Sequence, residues 1–222
     1  MRRIGIMGGT FNPIHLGHLL LAEWALDEVP LDEVWFIPTG SSYMKSSREI
    51  LPGEERMRMT ELAIRGNSRF RCLDLEIRRE GPTYTYETLR LLRAQYPEDS
   101  FFFILGADCL YTVENWKNPE EIFRNCTLVA AARGNGVLEA MEEKKRSLEN
   151  RFGGNILLLP FLRISVSSSL VRQRIRDGQS ARYLLCDSVL TYIEEKGFYR
   201  EKRESAEKDS QSNGKSAGCQ AF

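Results

Sequence analysis

The chain is patterned as short unbroken apolar runs separated by stretches in which apolar residues recur every three or four positions. Ile4, Ile6 and Met7, EVWFIP at 33–38, SFFFIL at 100–105, TLVAAA at 127–132 and NILLL at 155–159 are runs of the first kind. Runs this short, without polar alternation, predict strands buried on both faces, as in a parallel sheet. Residues 70–77 alternate polar and apolar and predict a further strand. Leu16, Leu19 and Leu20 follow the first run at helical spacing, with Asn12 expected to cap that helix and Pro13 to take its first position. Further helices are predicted over 56–65 (stopped by Gly66 and Asn67), 84–96 (followed by Pro97), 119–124, 137–151, 169–176 and 188–196. Strands alternating with helices predict an α/β fold, a Rossmann-like open parallel sheet with helices on both faces. Ligands in such sheets bind beyond the carboxyl ends of the strands. The loops after Met7, Ile37, Leu105, Ala132 and Leu159 are therefore the expected functional edge.

Composition narrows this reading. The chain has 222 residues, 42% hydrophobic and 28% charged, which suits one globular domain over 1–200. Beyond residue 200 apolar residues nearly vanish, and 201–222 is expected to be a disordered tail. Lys plus Arg equals Asp plus Glu at 31 each, which argues against nucleic acid or a membrane surface as partner. No signal segment or span of membrane length is seen, so the expected location is cytoplasmic. The five cysteines show neither metal-ligand spacing nor a disulfide framework, and no metal site is expected within the chain itself. The final Cys219-Gln-Ala-Phe is not read as a prenylation box, since Gln220 is not aliphatic.

Three stretches carry candidate chemistry. The first, RRIGIMGGTFNPIHLGH from Arg2 to His18, runs strand, glycine turn, helix start. Backbone N–H groups and the helix dipole face an anion in such a turn, which makes Gly8, Gly9, Thr10 and Phe11 a candidate phosphate cradle. His15 and His18, the chain's two histidines, share one helix face at its mouth. The second, ISVSSSLVR from Ile164 to Arg172, puts serine hydroxyls and an arginine at another helix start, as caps or as anion ligands. The third, GPTYTYETL from Gly81 to Leu89, reads as a helix start capped by Thr83 or Thr85. Trp116 reads as either a structural or a ligand-facing aromatic.

GGTFNPIHLGH resembles the first signature of the HxGH nucleotidyltransferases, and within them the bacterial nicotinate mononucleotide adenylyltransferases. The resemblance runs from about Arg2 to Tyr199 and includes a second signature, usually Ser-Ser-Thr-x-Ile-Arg, where this chain has Ser169 for Thr and Val171 for Ile. It implies a nucleotidyltransferase-type sheet and adenylyl transfer from ATP to nicotinate mononucleotide. His15, His18, Lys45 and Arg172 are then the catalytic residues. Gly8, Gly9, Thr10, Phe11, Gly106, Asp108, Ser167 and Ser168 join the histidines and Arg172 in binding ATP. Thr83, Tyr84, Thr85, Trp116 and Arg133 are implied for the mononucleotide. Lys45 follows Ser42-Tyr43-Met44 where relatives have Pro-Pro-His. Mg²⁺ is implied as the cofactor, bound mainly through ATP phosphates; association with further copies of the chain is left open. Pantetheine-phosphate adenylyltransferases share the first signature, but 83–85 and Trp116 speak against that substrate.

Overall fold

The computed structural model describes residues 1–40, 50–133 and 137–200. Six parallel strands form one sheet: β1 (Arg3–Gly9), β2 (Glu33–Pro38), β3 (Phe70–Cys72), β4 (Ser100–Gly106), β5 (Thr127–Arg133) and β6 (Ile156–Phe161). Their spatial order is β3-β2-β1-β4-β5-β6. The chain thus starts in the middle, winds out to β3, then returns beside β1 and winds the other way. Ile4 of β1 pairs with Glu33 on one side and Phe101 on the other. The loops that leave β1 and β4 diverge at this reversal and open a cleft above it.

The unbroken apolar runs follow from helices on both faces. Phe101, Phe103 and Leu105 of β4 pack against one layer, with Leu89, Leu92, Leu110 and Phe123. Phe102 and Ile104, between them, pack against the other, with Leu26, Met59 and Val171. The helices are α1 (Leu16–Glu28), α2 (Gly53–Ile64), α3 (Thr85–Gln95), α4 (Ala107–Thr112), α5 (Pro119–Asn125), α6 (Val137–Phe152), α7 (Ser168–Arg176) and α8 (Asp187–Lys196). None of them, among the described residues, is long and apolar enough to cross a membrane.

Three expectations need correction. The strand read over 70–77 is only Phe70–Cys72. After the Leu73 N–H reaches Phe36 O at 2.9 Å the chain turns, with Arg78 N–H on Asp74 O at 3.0 Å. The turn is anchored by the buried Glu76 carboxylate, which accepts the hydroxyls of Thr83 and Thr88, both at 2.7 Å. The apolar alternation there reflects turn packing: Leu73 and Leu75 join the layer of Leu89 and Leu92. Second, α1 begins at Leu16, so Asn12 is not its cap and Pro13 is not inside it. Third, α4 and the 3₁₀ turn Val113–Asn115 fill a stretch where no element was expected.

Candidate active site

β1 ends on Gly8-Gly9, and the turn from Thr10 to His15 leads into α1. A Cβ on Gly9 would lie 2.8 Å from the Phe11 ring, so the missing side chain lets that ring fold back under the turn. Phe11 takes the left-handed conformation (φ 47°), uncommon for a residue with a Cβ. Its ring is buried, edge-on to His18 with centroids 5.0 Å apart and 6.0 Å from Phe36. Phe11 therefore props His18 from below, and its ring does not line the cavity described next.

Asn12 cannot cap α1 because its side chain is committed elsewhere: Oδ1 accepts the Leu51 N–H at 3.2 Å and the Tyr199 hydroxyl at 2.8 Å. His15 takes the N-cap position instead. Its backbone N–H donates to His18 Nδ1 at 3.2 Å, the reciprocal arm of a capping box, and the two imidazoles stack at 3.7 Å and 22°. A ring nitrogen that accepts a hydrogen bond carries no proton. The His18 proton therefore sits on Nε2, which becomes a donor. Gly17 makes the stack possible, since a Cβ there would approach His15 Nδ1 and Cε1 to 3.1 and 3.2 Å.

The second signature is bonded across to this turn. Ser167 caps α7, accepting the Leu170 N–H at 3.1 Å. Ser168 Oγ donates to Pro13 O at 2.8 Å, and Arg172 Nη1 donates to Asn12 O at 3.0 Å. The structure thus brings Thr10, His15, His18, Ser167, Ser168 and Arg172 to the wall of one cavity of about 650 Å³. Leu21, Phe161, Ile164 and Val166 supply apolar wall. The wall combines donors and positive charge with apolar surface, which suits a ligand with an anionic part and an apolar part.

Of the residues assigned to the mononucleotide, Thr83, Tyr84, Thr85 and Trp116 are not among those lining that cavity; they lie at the start of α3 and after the 3₁₀ turn that follows α4. Thr83 and Thr85 are not caps: Tyr84 holds the N-cap of α3, and the Thr83 hydroxyl is spent on Glu76. The N–H groups of Thr85 and Tyr86 open the helix. Lys117 Nζ lies 4.0 Å from the Tyr84 ring centroid. Trp116 is half-buried and edge-on to Phe103, centroids 6.3 Å apart. That same Phe103 ring would lie 3.6 Å from a Cβ on Gly8, so it separates Trp116 from the end of β1. Gly106 is the N-cap of α4, and Asp108, in its first turn, is exposed. Arg133 ends β5, paired with Phe161 of β6. Lys45 and the tail 201–222 lie outside the described residues.

One residue the sequence reading missed is Arg56. Buried at the start of α2, it donates from Nε to Leu51 O (2.9 Å), from Nη1 to Thr10 O (2.8 Å), and from Nη2 to Thr39 O (2.7 Å) and Gly40 O (3.3 Å). It clamps the end of β2 to the turn after β1. Burial pushes its guanidinium below the ordinary arginine value, against the pull of Tyr199 and Glu76. A signal existed: Arg56 is in phase with Met59, Thr60 and Ile64, the buried face of the helix.

Residues 6–174 match the cytidylyltransferase-like family. A Lachnoclostridium phytofermentans protein named "Probable nicotinate-nucleotide adenylyltransferase" is 42% identical over 199 residues, covering 90% of this chain and all of that protein. One of the same name from Dehalococcoides mccartyi is 42% identical over 201 residues, 89% of this chain and 97% of that protein. Among solved structures, the Plasmodium falciparum nicotinic acid mononucleotide adenylyltransferase complexed with NaAD superimposes with a TM-score of 0.72, at 21% identity, over 90% of this chain and 98% of that one. At that identity the superposition speaks to the sheet and its strand order. The relatives at 42% decide the rest: within the cytidylyltransferase-like family, this chain belongs to the nicotinate-nucleotide adenylyltransferases.

Proposed function

We propose that the chain transfers the adenylyl group of ATP to nicotinate mononucleotide, forming deamido-NAD and pyrophosphate. The observation that carries this reading is the meeting of the histidine turn and the Ser167–Arg172 segment around one cavity. An oxygen of the mononucleotide phosphate forms the new bond to the α-phosphorus, and the bond from that phosphorus to the β-phosphate oxygen breaks. The attacking oxygen is already anionic, so positioning and charge stabilisation suffice, with no general base. His18 Nε2–H donates to an oxygen on the α-phosphate as charge builds there. Arg172 and the first-turn N–H groups of α7 hold the β- and γ-phosphates, joined by Lys45. The apolar wall takes the adenine.

Mg²⁺ fits this site only on the triphosphate. The cavity wall presents donors, and no cluster of three His, Cys, Asp or Glu occurs among the described residues. When bound, the cation neutralises phosphate charge; the chain's part is to hold the phosphates.

At the second end, the Thr85 and Tyr86 N–H groups receive the nicotinate carboxylate, beside the Lys117 ammonium. An amide would turn its own NH₂ toward those donors, and each mismatch costs about 1–3 kcal/mol. A preference of at least about tenfold for nicotinate over nicotinamide mononucleotide is therefore expected. Trp116→Ala should weaken both substrates and leave most of the preference. Purified protein with ATP and each mononucleotide, products identified by mass, tests the reaction and the preference together. Equal efficiency on both mononucleotides would remove the carboxylate pocket, and no dinucleotide product would remove the reaction.

Gly17→Ala offers a test with opposed signs. The added methyl displaces the His15 ring from its stack, and turnover should fall by roughly tenfold. The same change replaces a helical glycine by the best helix former, worth up to about 1 kcal/mol, so the melting temperature should hold or rise slightly. Unchanged turnover would mean that the stack does not position His18.

A further inference from the structure

The last turn of the described chain folds back to the site. α8 ends on Gly197 (φ +66°), with the Phe198 N–H closing on Ile193 O at 3.1 Å. Phe198 packs on the core layer of Leu26, Met59 and Val171 and against Tyr192, ring centroids 6.1 Å apart. Tyr199 follows in the left-handed region at φ +64°, a conformation that side chains with a Cβ avoid. Such strain persists only where the surroundings impose it, and it gathers at functional positions. Here the Tyr199 ring packs on the core beside Phe198, ring centroids 6.2 Å apart, and its hydroxyl reaches Asn12 Oδ1 at 2.8 Å.

The direction of that bond is fixed. The Leu51 N–H, which can only donate, reaches the same Asn12 atom at 3.2 Å. The atom is therefore the amide oxygen, and the phenol is the donor. Burial pushes the hydroxyl upward, and the nearby guanidiniums of Arg172 and Arg56 pull the other way; the balance keeps it protonated. Asn12 is where three further segments converge. Its carbonyl seats Arg172, its side chain holds Leu51, and Leu51 O in turn receives Arg56. Phe11, immediately before it, is also left-handed, so strained residues stand on both sides of the bond. Asn12 lines the cavity, whereas Tyr199 does not.

We propose that Tyr199 is a positioning residue for adenylyl transfer, holding through Asn12 the turn that carries His15 and His18 and the carbonyl that seats Arg172. This rests on the reaction given above. Tyr199→Phe keeps the ring and removes only the hydroxyl. It should lower kcat about tenfold, because a loosened turn misplaces the His18 donor, which matters only as charge develops, while the Asn12 carbonyl and α7 still hold Arg172 on the triphosphate and KM for ATP stays within about twofold. A double-mutant cycle with Asn12→Ala isolates the route. The double variant should be no slower than Asn12→Ala alone, with Tyr199→Phe melting within a few degrees of wild type. Three results would overturn the proposal: kcat of Tyr199→Phe within about twofold of wild type, independent multiplication of the two losses, or a variant that fails to fold or melts more than about 10 °C lower. The wild type run alongside separates the two readings. If it makes no dinucleotide, the reaction is wrong; if it does and the cycle fails, only the role of Tyr199 falls.

Discussion

His18→Ala is expected to lower turnover about a hundredfold or more while leaving ATP affinity within about threefold. The His15 N–H occupies His18 Nδ1, so the only ring donor left is Nε2, and Phe11 below and His15 beside it hold the ring in place. One preorganised donor aimed at developing charge contributes on the order of a hundredfold to a thousandfold, and ground-state binding shares little of that. The substitution also opens one arm of the capping box at α1, costing about 1 kcal/mol, so the melting temperature should fall by only about 2–4 °C. Turnover near the wild-type value in the folded variant would show that charge on the α-phosphate is met by other groups.

Arg56→Met should have the largest effect on stability. Four carbonyl oxygens, on Thr10, Thr39, Gly40 and Leu51, share its guanidinium, and a thioether of similar length gives them nothing in return. Leaving buried acceptors unmet costs about 1–3 kcal/mol for each, partly relieved by relaxation, and the expected total is roughly 3–5 kcal/mol. For a chain of this size that is a fall of about 10 °C or more in melting temperature. Arg56→Lys should recover little, since a single ammonium cannot match the planar fork. Thermal melts with and without saturating ATP check this. A loss below about 1 kcal/mol would mean that water replaces the guanidinium at the clamp.

Most of the sheet was legible because its strands are buried on both faces: SFFFIL could hardly be anything else in a chain of this composition. The helices were legible from their spacing, with boundaries off by one residue for α7 and α8 and by three at the start of α2. What failed was local chemistry outvoted by distant partners. Asn12 has the side chain of a cap, but Leu51 and Tyr199 claim it, and nothing near residue 12 announces either. Residues 73–77 have the alternation of a strand, yet Thr83 and Thr88 turn the chain by binding Glu76. α4 escaped notice because six residues are too few for a periodic pattern. In the site, both histidines and Arg172, which the motifs single out, line one cavity. The tautomer of His18, the need for glycine at 17 and the clamp of Arg56 depend on three-dimensional neighbours and could only come from the structure.

The bond from Ser168 to Pro13 spans 155 positions of sequence. On the ribosome, the histidine turn therefore emerges long before the segment that completes it. At ordinary elongation rates the interval is roughly ten to thirty seconds. Throughout that time the nascent chain has β1 and its glycine turn but lacks Ser167, Ser168 and Arg172, which line another part of the cavity. On the function proposed above, a product released short of α7 is expected to be inactive, because it lacks Arg172 and the N–H groups proposed to hold the triphosphate. Messages cut short should therefore yield polypeptides that do not compete with complete copies for ATP.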